Sequence, residues 1–361
     1  MARLTLESTI LNDADAAQLK HIRRRTMDVL RVAIGDARDV AVVDAPNQRN
    51  IGDSLIWEGE LQYLREMGCR IRYVSDIRCF DARALAKRLP DDGVVLLHGG
   101  GNFGDIWTGH QGHREAVVAT LHQYRVVQLP QSIFFADSDN AARANRILGA
   151  HPDFVVLLRD SLSIERAHQQ LPDVTVRFCP DMALGWEPPP RSDDHAQPSE
   201  IVAIARADRE ASSGLRGVSQ NWIPGHRVNV TDWGLHARDP LRWRLARAGL
   251  RLQHILVAGR RKTGIPVPAL PQRFVLSLLK TTNIMNVRSA LRLYARAKAL
   301  VVDRLHAHVL ALLLGLDHVL LDNNYRKLAG VFKDYTGVFT TARYCTDLID
   351  AEQELRAIVG A

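Results

Sequence analysis

Cysteine is scarce in this 361-residue chain, and the four present (Cys69, Cys79, Cys179, Cys345) form no C-x-x-C pair. Structural metal centres need clustered ligands, so none is expected, and reduced, mostly buried thiols are. No apolar run approaches the roughly 20 residues that cross a bilayer as a helix. The best candidate, residues 309–321, is broken by Gly315, Asp317 and His318. The N-terminal segment carries acids early and has no apolar core, so no signal peptide is read there and a cytoplasmic protein is expected. Also missing are the G-x-G-x-x-G fingerprint, the G-K-[ST] end of a P-loop and a basic tract interleaved with aromatics. Those gaps argue against dinucleotide binding of the usual kind, a P-loop enzyme and a nucleic-acid surface.

What is present is an ordinary globular composition, 46% apolar and 24% charged, long enough for two domains. A net charge of +7 favours anionic partners, phosphorylated substrates and acidic glycans among them, without choosing between them. Short apolar runs alternate with polar or glycine-rich loops and amphipathic stretches. Strands are expected at 40–45, 71–74, 93–98, 126–129, 154–158 and 176–179, with helices over 53–67 and 112–124. Continuous apolar strands of this kind belong to a parallel sheet covered on both faces. Pro188-Pro189-Pro190 and the polar residues after it read as a linker, 188–199. A second series follows, with strands at 201–205, 253–257, 299–302 and 318–321 and a helix over 305–314. A terminal helix over 346–360 is free to pack back on the first domain. The expected architecture is therefore α/β, with two Rossmann-like domains, 1–187 and 200–361, whose loops face across a cleft.

Four features carry candidate chemistry. The loop from Asn47 to Asp53 joins a strand to a helix; Asp53 can cap that helix, and Asn50 with the helix N-terminus can bind a polar ligand. A plain capped loop explains it equally well. The stretch His98-Gly99-Gly100-Gly101-Asn102-Phe103-Gly104-Asp105 follows a buried strand. Its glycines would let backbone N–H groups approach an anion or sugar, with Asn102, Asp105 and Trp107 beside them. Arg159, Arg206 and Arg304 stand at strand ends and could grip a small, doubly anionic substrate bidentately. One such arginine would pass as a structural ion pair; three are harder to dismiss. His306 follows Arg304 and Leu305 at the start of a helix, where an imidazole can give and take protons. His308 lies two residues on, off the face of His306, so the two are not read as a metal pair.

These residues resemble the polysaccharide pyruvyl transferases, in the branch acting on bacterial exopolysaccharides. The matching stretches are Asn50-Ile51-Gly52-Asp53, the glycine loop, Leu129-Pro130-Gln131-Ser132, Arg159-Asp160-Ser161, Cys179-Pro180-Asp181, Asp303-Arg304-Leu305-His306-Ala307-His308 and Leu321-Asp322-Asn323-Asn324-Tyr325-Arg326-Lys327. The resemblance implies a GT-B-like pair of domains and phosphoenolpyruvate as donor. It implies an exopolysaccharide sugar or its lipid-linked precursor as acceptor, and a cyclic pyruvate ketal as product. It places Arg206, Arg304 and His306 at the catalytic centre. Asn50, Asp53, Gly99, Gly100, Gly101, Asn102, Asp105, Arg159, Leu305 and Lys327 become substrate-binding candidates. No metal or nucleotide cofactor is required, and the basic surface suits peripheral attachment to the inner membrane. The alternatives are a nucleotide-sugar glycosyltransferase of the same architecture and a non-catalytic glycan-binding relative.

Overall fold

The computed structural model describes residues 11–189, 199–207, 212–232, 241–263, 269–322 and 327–360. Most of the expected linker, residues 323–326 and the side chain of Lys327 lie outside the described residues. The chain divides into two compact units. One comprises Arg25–Trp186 and Leu235–Arg288; the other comprises Met1–Arg24, Glu187–Gly234 and Ser289–Ala361.

After the opening helix α1 (Asp13–Ile34), the first unit alternates strands and helices. They are β1 (Asp39–Val43), α2 (Ile51–Glu66), β2 (Arg70–Val74), α3 (Ala82–Ala86), β3 (Val94–Leu97), β4 (Gly100–Gly104) and α4 (Thr108–Thr120). Then follow β5 (Arg125–Phe134), α5 (Ser138–Gly149), β6 (Phe154–Leu158), α6 (Ser161–Gln170) and β7 (Thr175–Phe178). The seven strands form one parallel sheet in the order β2-β1-β3-β5-β6-β7, with β4 beside β5. The apolar runs of β1 and β3 are buried from end to end, as strands covered on both faces must be. Each valine or leucine sequestered this way contributes about 1.5–3 kcal/mol. Asn50, Asp81, Asp137 and Asp160 cap the helices that follow them, each accepting from a backbone N–H of the first turn.

The second unit holds β8 (Glu200–Ile204) and β9 (Val228–Thr231). Two long helices, α7 (Leu241–Thr263) and α8 (Gln272–Tyr294), come next in the chain. The second unit then continues with β10 (Ala297–Val302), α9 (Leu305–Leu313), β11 (His318–Leu321), α10 (Lys327–Val331), β12 (Ala342–Cys345) and α11 (Leu348–Val359). Its five strands are all parallel, in the order β12-β11-β10-β8-β9. Both units are thus α/β with parallel sheets.

Three expectations change. Residues 253–257 are not a strand but part of α7, whose inward face (Ala246, Leu250, Gln253, Val257) recurs at helical spacing. Segment 235–288, which contiguous boundaries assign to the second domain, groups with the seven-stranded sheet. The terminal helix α11 packs on the five-stranded sheet instead of the first domain: Ala351, Leu355 and Val359 join Val301, Val319 and Leu321 in its core.

Candidate functional site

Each sheet has a topological switch point, where successive connections leave in opposite directions; open α/β sheets bind ligands outside the strand ends there. In the seven-stranded sheet β1 is flanked by β2 and β3, and in the five-stranded sheet β8 is flanked by β9 and β10. Candidate chemistry collects at both places.

Beyond the ends of β1, β2 and β3 lies a cavity of about 570 Å³. Its lining includes Asp44, Gln48, Arg49 and Asp53 after β1, Asp76 and Arg78 after β2, and His98 and Asn102 around the glycine loop. Helix α7 adds Trp243, Arg247, Arg251 and His254. The loop before α2 is held from outside by helices some 200 residues further along the chain. Arg247 donates to the Asn47 carbonyl (2.7 Å), Asn283 to that of Pro46 (3.0 Å) and Asn286 to that of Gln48 (3.2 Å). Asn286 also accepts from the Trp243 indole (3.2 Å), whose ring lies under the Arg49 guanidinium at 4.1 Å.

The capping roles here differ from the expectation. Asn50, not Asp53, caps α2, accepting from the Gly52 N–H at 2.9 Å. Asp53 instead accepts from Asn50 (2.8 Å) and Gln48 (2.6 Å) and lines the cavity, whereas Asn50 does not. The other acids are likewise engaged. Asp44 faces His110 Nδ1 (3.1 Å), and Asp76 receives Asn47 (2.6 Å) and His254 (2.5 Å). Burial pushes the Asp76 carboxyl up, but the bonds from His254 and Asn47 outweigh it and leave its pKa lowered. The guanidinium groups of Arg78 and Arg251 take part in no hydrogen bond or ion pair among the described residues, so the cavity presents cationic groups to a ligand.

The glycine loop also differs from the open anion cradle expected of it. The Gly99 N–H donates to Glu60 (2.8 Å), that of Asn102 to Gln131 (3.1 Å) and that of Gly104 to Gln111 (3.1 Å). The loop instead aims two side chains at the cavity. Asn102 is oriented through its Oδ1 by Arg114 (2.8 Å) and Gln131 (3.1 Å). His98, 3% exposed, bonds Glu60 through Nδ1 (2.9 Å), and its Nε2 has no hydrogen-bond partner among the described residues. Burial alone would lower the His98 pKa; Glu60, with Asp53 and Asp44, reverses that and raises it to about 9. Asp105 staples the loop by accepting from the N–H groups of Ala136 and Asp137 (3.0 and 2.8 Å), and Trp107 is 44% exposed at the start of α4.

Arg159 is buried, with its guanidinium on Asp181 (2.7 Å) and Ser132 (3.0 Å), while Ser132 donates to Asp160 (2.6 Å). Three of the short motifs thereby interlock into one polar frame within the sheet.

In the five-stranded unit Ile204 is in register with Val302 and with Thr231, so Arg206, Asp303–Arg304 and Asp232 emerge from neighbouring strand ends. The Arg206 N–H donates to Asp303 (2.8 Å), which also accepts from the Ser213 hydroxyl (2.6 Å). Burial raises the Asp303 pKa despite those bonds. Arg304 forks onto Asp232 through Nε (2.6 Å) and a terminal nitrogen (2.8 Å) and stands at the N-cap of α9. Leu305 is buried and His306 is half-buried in the first turn of α9. His308, by contrast, sits in the core, bonded to His318 (2.7 Å) and Thr336 (2.8 Å). Lys327 begins α10. Thus Arg206, Arg304 and His306 stand beyond the carboxyl ends of β8 and β10 in one sheet, and Asp53, His98 and Asn102 beyond those of β1 and β3 in the other.

Sequence reasoning missed His98 as a site residue, together with Trp243, Arg247 and His254. The spacing of the last three, one face of one helix, was the available signal. Asp76, Cys79 and His254 bring one ligand atom each within 4.8 Å of one another. Burial and the charge of Asp76 push the Cys79 thiol up to about 12, which keeps it protonated, and Asp76 is already saturated with donors. All four cysteines are free thiols, three of them buried.

Two α/β units with parallel sheets, each with charged side chains at its switch point, are of the open α/β class that binds ligands at the carboxyl ends of its strands. The family model of the polysaccharide pyruvyl transferases matches residues 50–325, and the chain belongs to that family. A protein of Bacillus subtilis named as a pyruvyl transferase, EpsO, is 28% identical over 297 residues, 81% of this chain and 84% of its own. Pyruvyl transferase 1 of Schizosaccharomyces pombe is 24% identical over 304 residues, 80% and 67% of the two chains. The crystal structure of an uncharacterized Klebsiella pneumoniae protein superposes with a TM-score of 0.54 at 16% identity, covering 90% of this chain and 98% of that one. The chain is therefore a transferase whose family acts in pyruvyl transfer to polysaccharide. No helix among the described residues is long and apolar enough to cross a membrane.

Proposed function

We propose that this enzyme transfers the enolpyruvyl group of phosphoenolpyruvate to a sugar of an exopolysaccharide or its lipid-linked precursor, forming a cyclic pyruvate ketal and releasing phosphate. The observation that carries this reading is the gathering of Arg206, Arg304 and His306 at the switch point of the five-stranded sheet. A carboxylate and a phosphate on one small donor call for two guanidinium groups, and the chemistry calls for one proton carrier. A proton adds to the donor's methylene carbon, C2 becomes electrophilic, and the first sugar hydroxyl adds there and gives up its proton. Cleavage of the C2–O bond releases phosphate, and the second hydroxyl closes the ketal, its proton leaving with the phosphate. His306 is the acid and base in this scheme, Arg206 and Arg304 hold the anions, and Lys327 supports them. No metal or nucleotide is needed.

The sugar is assigned to the cavity at the first switch point, with Asp53, His98 and Asn102 as hydrogen-bonding groups. That both units serve one reaction, in a GT-B-like cleft of a cytoplasmic enzyme, is part of the same proposal. The test is phosphate release from phosphoenolpyruvate with a panel of lipid-linked sugars. His306→Gln should lower turnover by about 10²–10⁴-fold; near-normal turnover would overturn the assignment. A thermal shift with nucleotide sugars and none with phosphoenolpyruvate would turn the reading toward glycosyl transfer.

A further inference from the structure

Helix α7 presents apolar residues on two sides. Ala246, Leu250, Gln253 and Val257 face inward, and Trp243, Arg247 and His254 form a second face on the cavity. A third stripe points away from both. Leu241, Leu245, Leu252 and Ile255 are 70%, 61%, 47% and 67% exposed, with exposed Ala248 between them at the same helical spacing. An apolar stripe this long on a water-facing helix marks an interaction surface.

Its surroundings choose the partner. Arg242 borders the stripe on one side, and Arg244, Arg251 and Lys262 border it on the other, all of them exposed. From Leu241 to Val302 the sequence has no aspartate or glutamate. A second copy of this face would set arginine against arginine, which disfavours a symmetric dimer. A basic rim around leucine and isoleucine instead complements an anionic lipid surface, where arginines reach headgroups and aliphatic side chains enter the acyl boundary.

We propose that the outer face of α7 docks the protein on anionic bilayers, lying in the plane of the membrane with Leu241, Leu245, Leu252 and Ile255 immersed. This does not rest on the pyruvyl-transfer reading, since an enzyme of other chemistry would dock in the same way.

Flotation of the purified full-length protein with vesicles tests it. The wild type should float with vesicles of phosphatidylglycerol and phosphatidylcholine in equal parts, weakly at high salt, and not with phosphatidylcholine alone. Leu245→Gln/Leu252→Gln/Ile255→Gln should cut the bound fraction about tenfold or more while leaving Tm unchanged, because all three side chains are already in water. Arg242→Gln/Arg244→Gln should weaken binding and flatten its salt dependence. Phosphate release with a water-soluble acceptor should be unaffected by the triple variant. Equal flotation of wild type and triple variant would overturn the proposal, as would failure of the wild type to float. A wild-type dimer that the triple variant converts to a monomer, with flotation unaltered, would reassign the face to a second copy.

Discussion

Gly99 and Gly104 are fixed by backbone packing. A Cβ on Gly99 would meet the Pro130 carbonyl oxygen at 2.8 Å, and one on Gly104 would sit 1.7 Å from that of Phe134, at a φ of +121° that glycine adopts freely. These residues seat β4 against β5, and the side chains the loop carries, His98 and Asn102, do its work toward the cavity. Arg304 is the residue where chemistry and geometry can be separated. Its planar fork meets both oxygens of Asp232, a geometry lysine cannot reproduce. Arg304→Lys keeps the charge at the end of β10 but loses the planar fork, both toward Asp232 and toward the donor anion that the proposed function assigns to it. With one charge-assisted hydrogen bond to that anion lost, the KM for phosphoenolpyruvate in the phosphate-release assay should rise about tenfold, with an unchanged circular dichroism spectrum. An unaltered KM would remove Arg304 from donor binding.

At the scale of elements, strands were legible wherever a short apolar run is buried on both faces, as at 154–158, which is β6 residue for residue. Residues 253–257 misled because outward Ile255, half-buried Leu256 and inward Val257 follow one another, so Ile255-Leu256-Val257-Ala258 reads as a continuous apolar run in a short window. The candidate site was half legible. Arg206, Arg304 and His306 announce themselves by standing after strands, whereas the partners of the glycine loop (Glu60, Gln111 and Gln131) lie up to 39 residues away in sequence, and α7 is further still. Arg159 looked like its fellow arginines from sequence, and only burial distinguishes it. Its side chain and that of Asp181 are 2% and 1% exposed, tying the end of β6 to the turn after β7. Asp181→Leu removes the carboxylate partner of that guanidinium in the core and should cost about 3–5 kcal/mol in urea unfolding, whereas Arg159→Met/Asp181→Leu should recover most of it. A single-variant loss near zero would return Arg159 to the list of ligand contacts.

The two units, taken as one molecule, answer pH in opposite senses. In the seven-stranded unit His98 has its pKa raised to about 9 by the carboxylates around it. The native state therefore holds a proton that the unfolded chain releases above about 6.5. The stabilisation is complete below that value and is lost as pH climbs through about 9. In the five-stranded unit burial lowers His318 to about 4, and burial together with His318 lowers His308 well below its ordinary value. There the unfolded chain binds the extra protons, so stability is complete above about 6.5 and falls as pH drops toward 4. The shifts of His98 and His318 are each worth about 3 kcal/mol. Calorimetry across pH 4 to 10 should resolve two components: one that loses Tm on the alkaline side and is flattened there by His98→Gln, and one that loses Tm on the acid side and is flattened there by His318→Gln. Each variant should leave the other component's pH profile in place, because the groups lie in separate cores. A single transition with one pH profile, shifted alike by both variants, would mean that the two units unfold as one cooperative body and that their titrations cannot be assigned unit by unit.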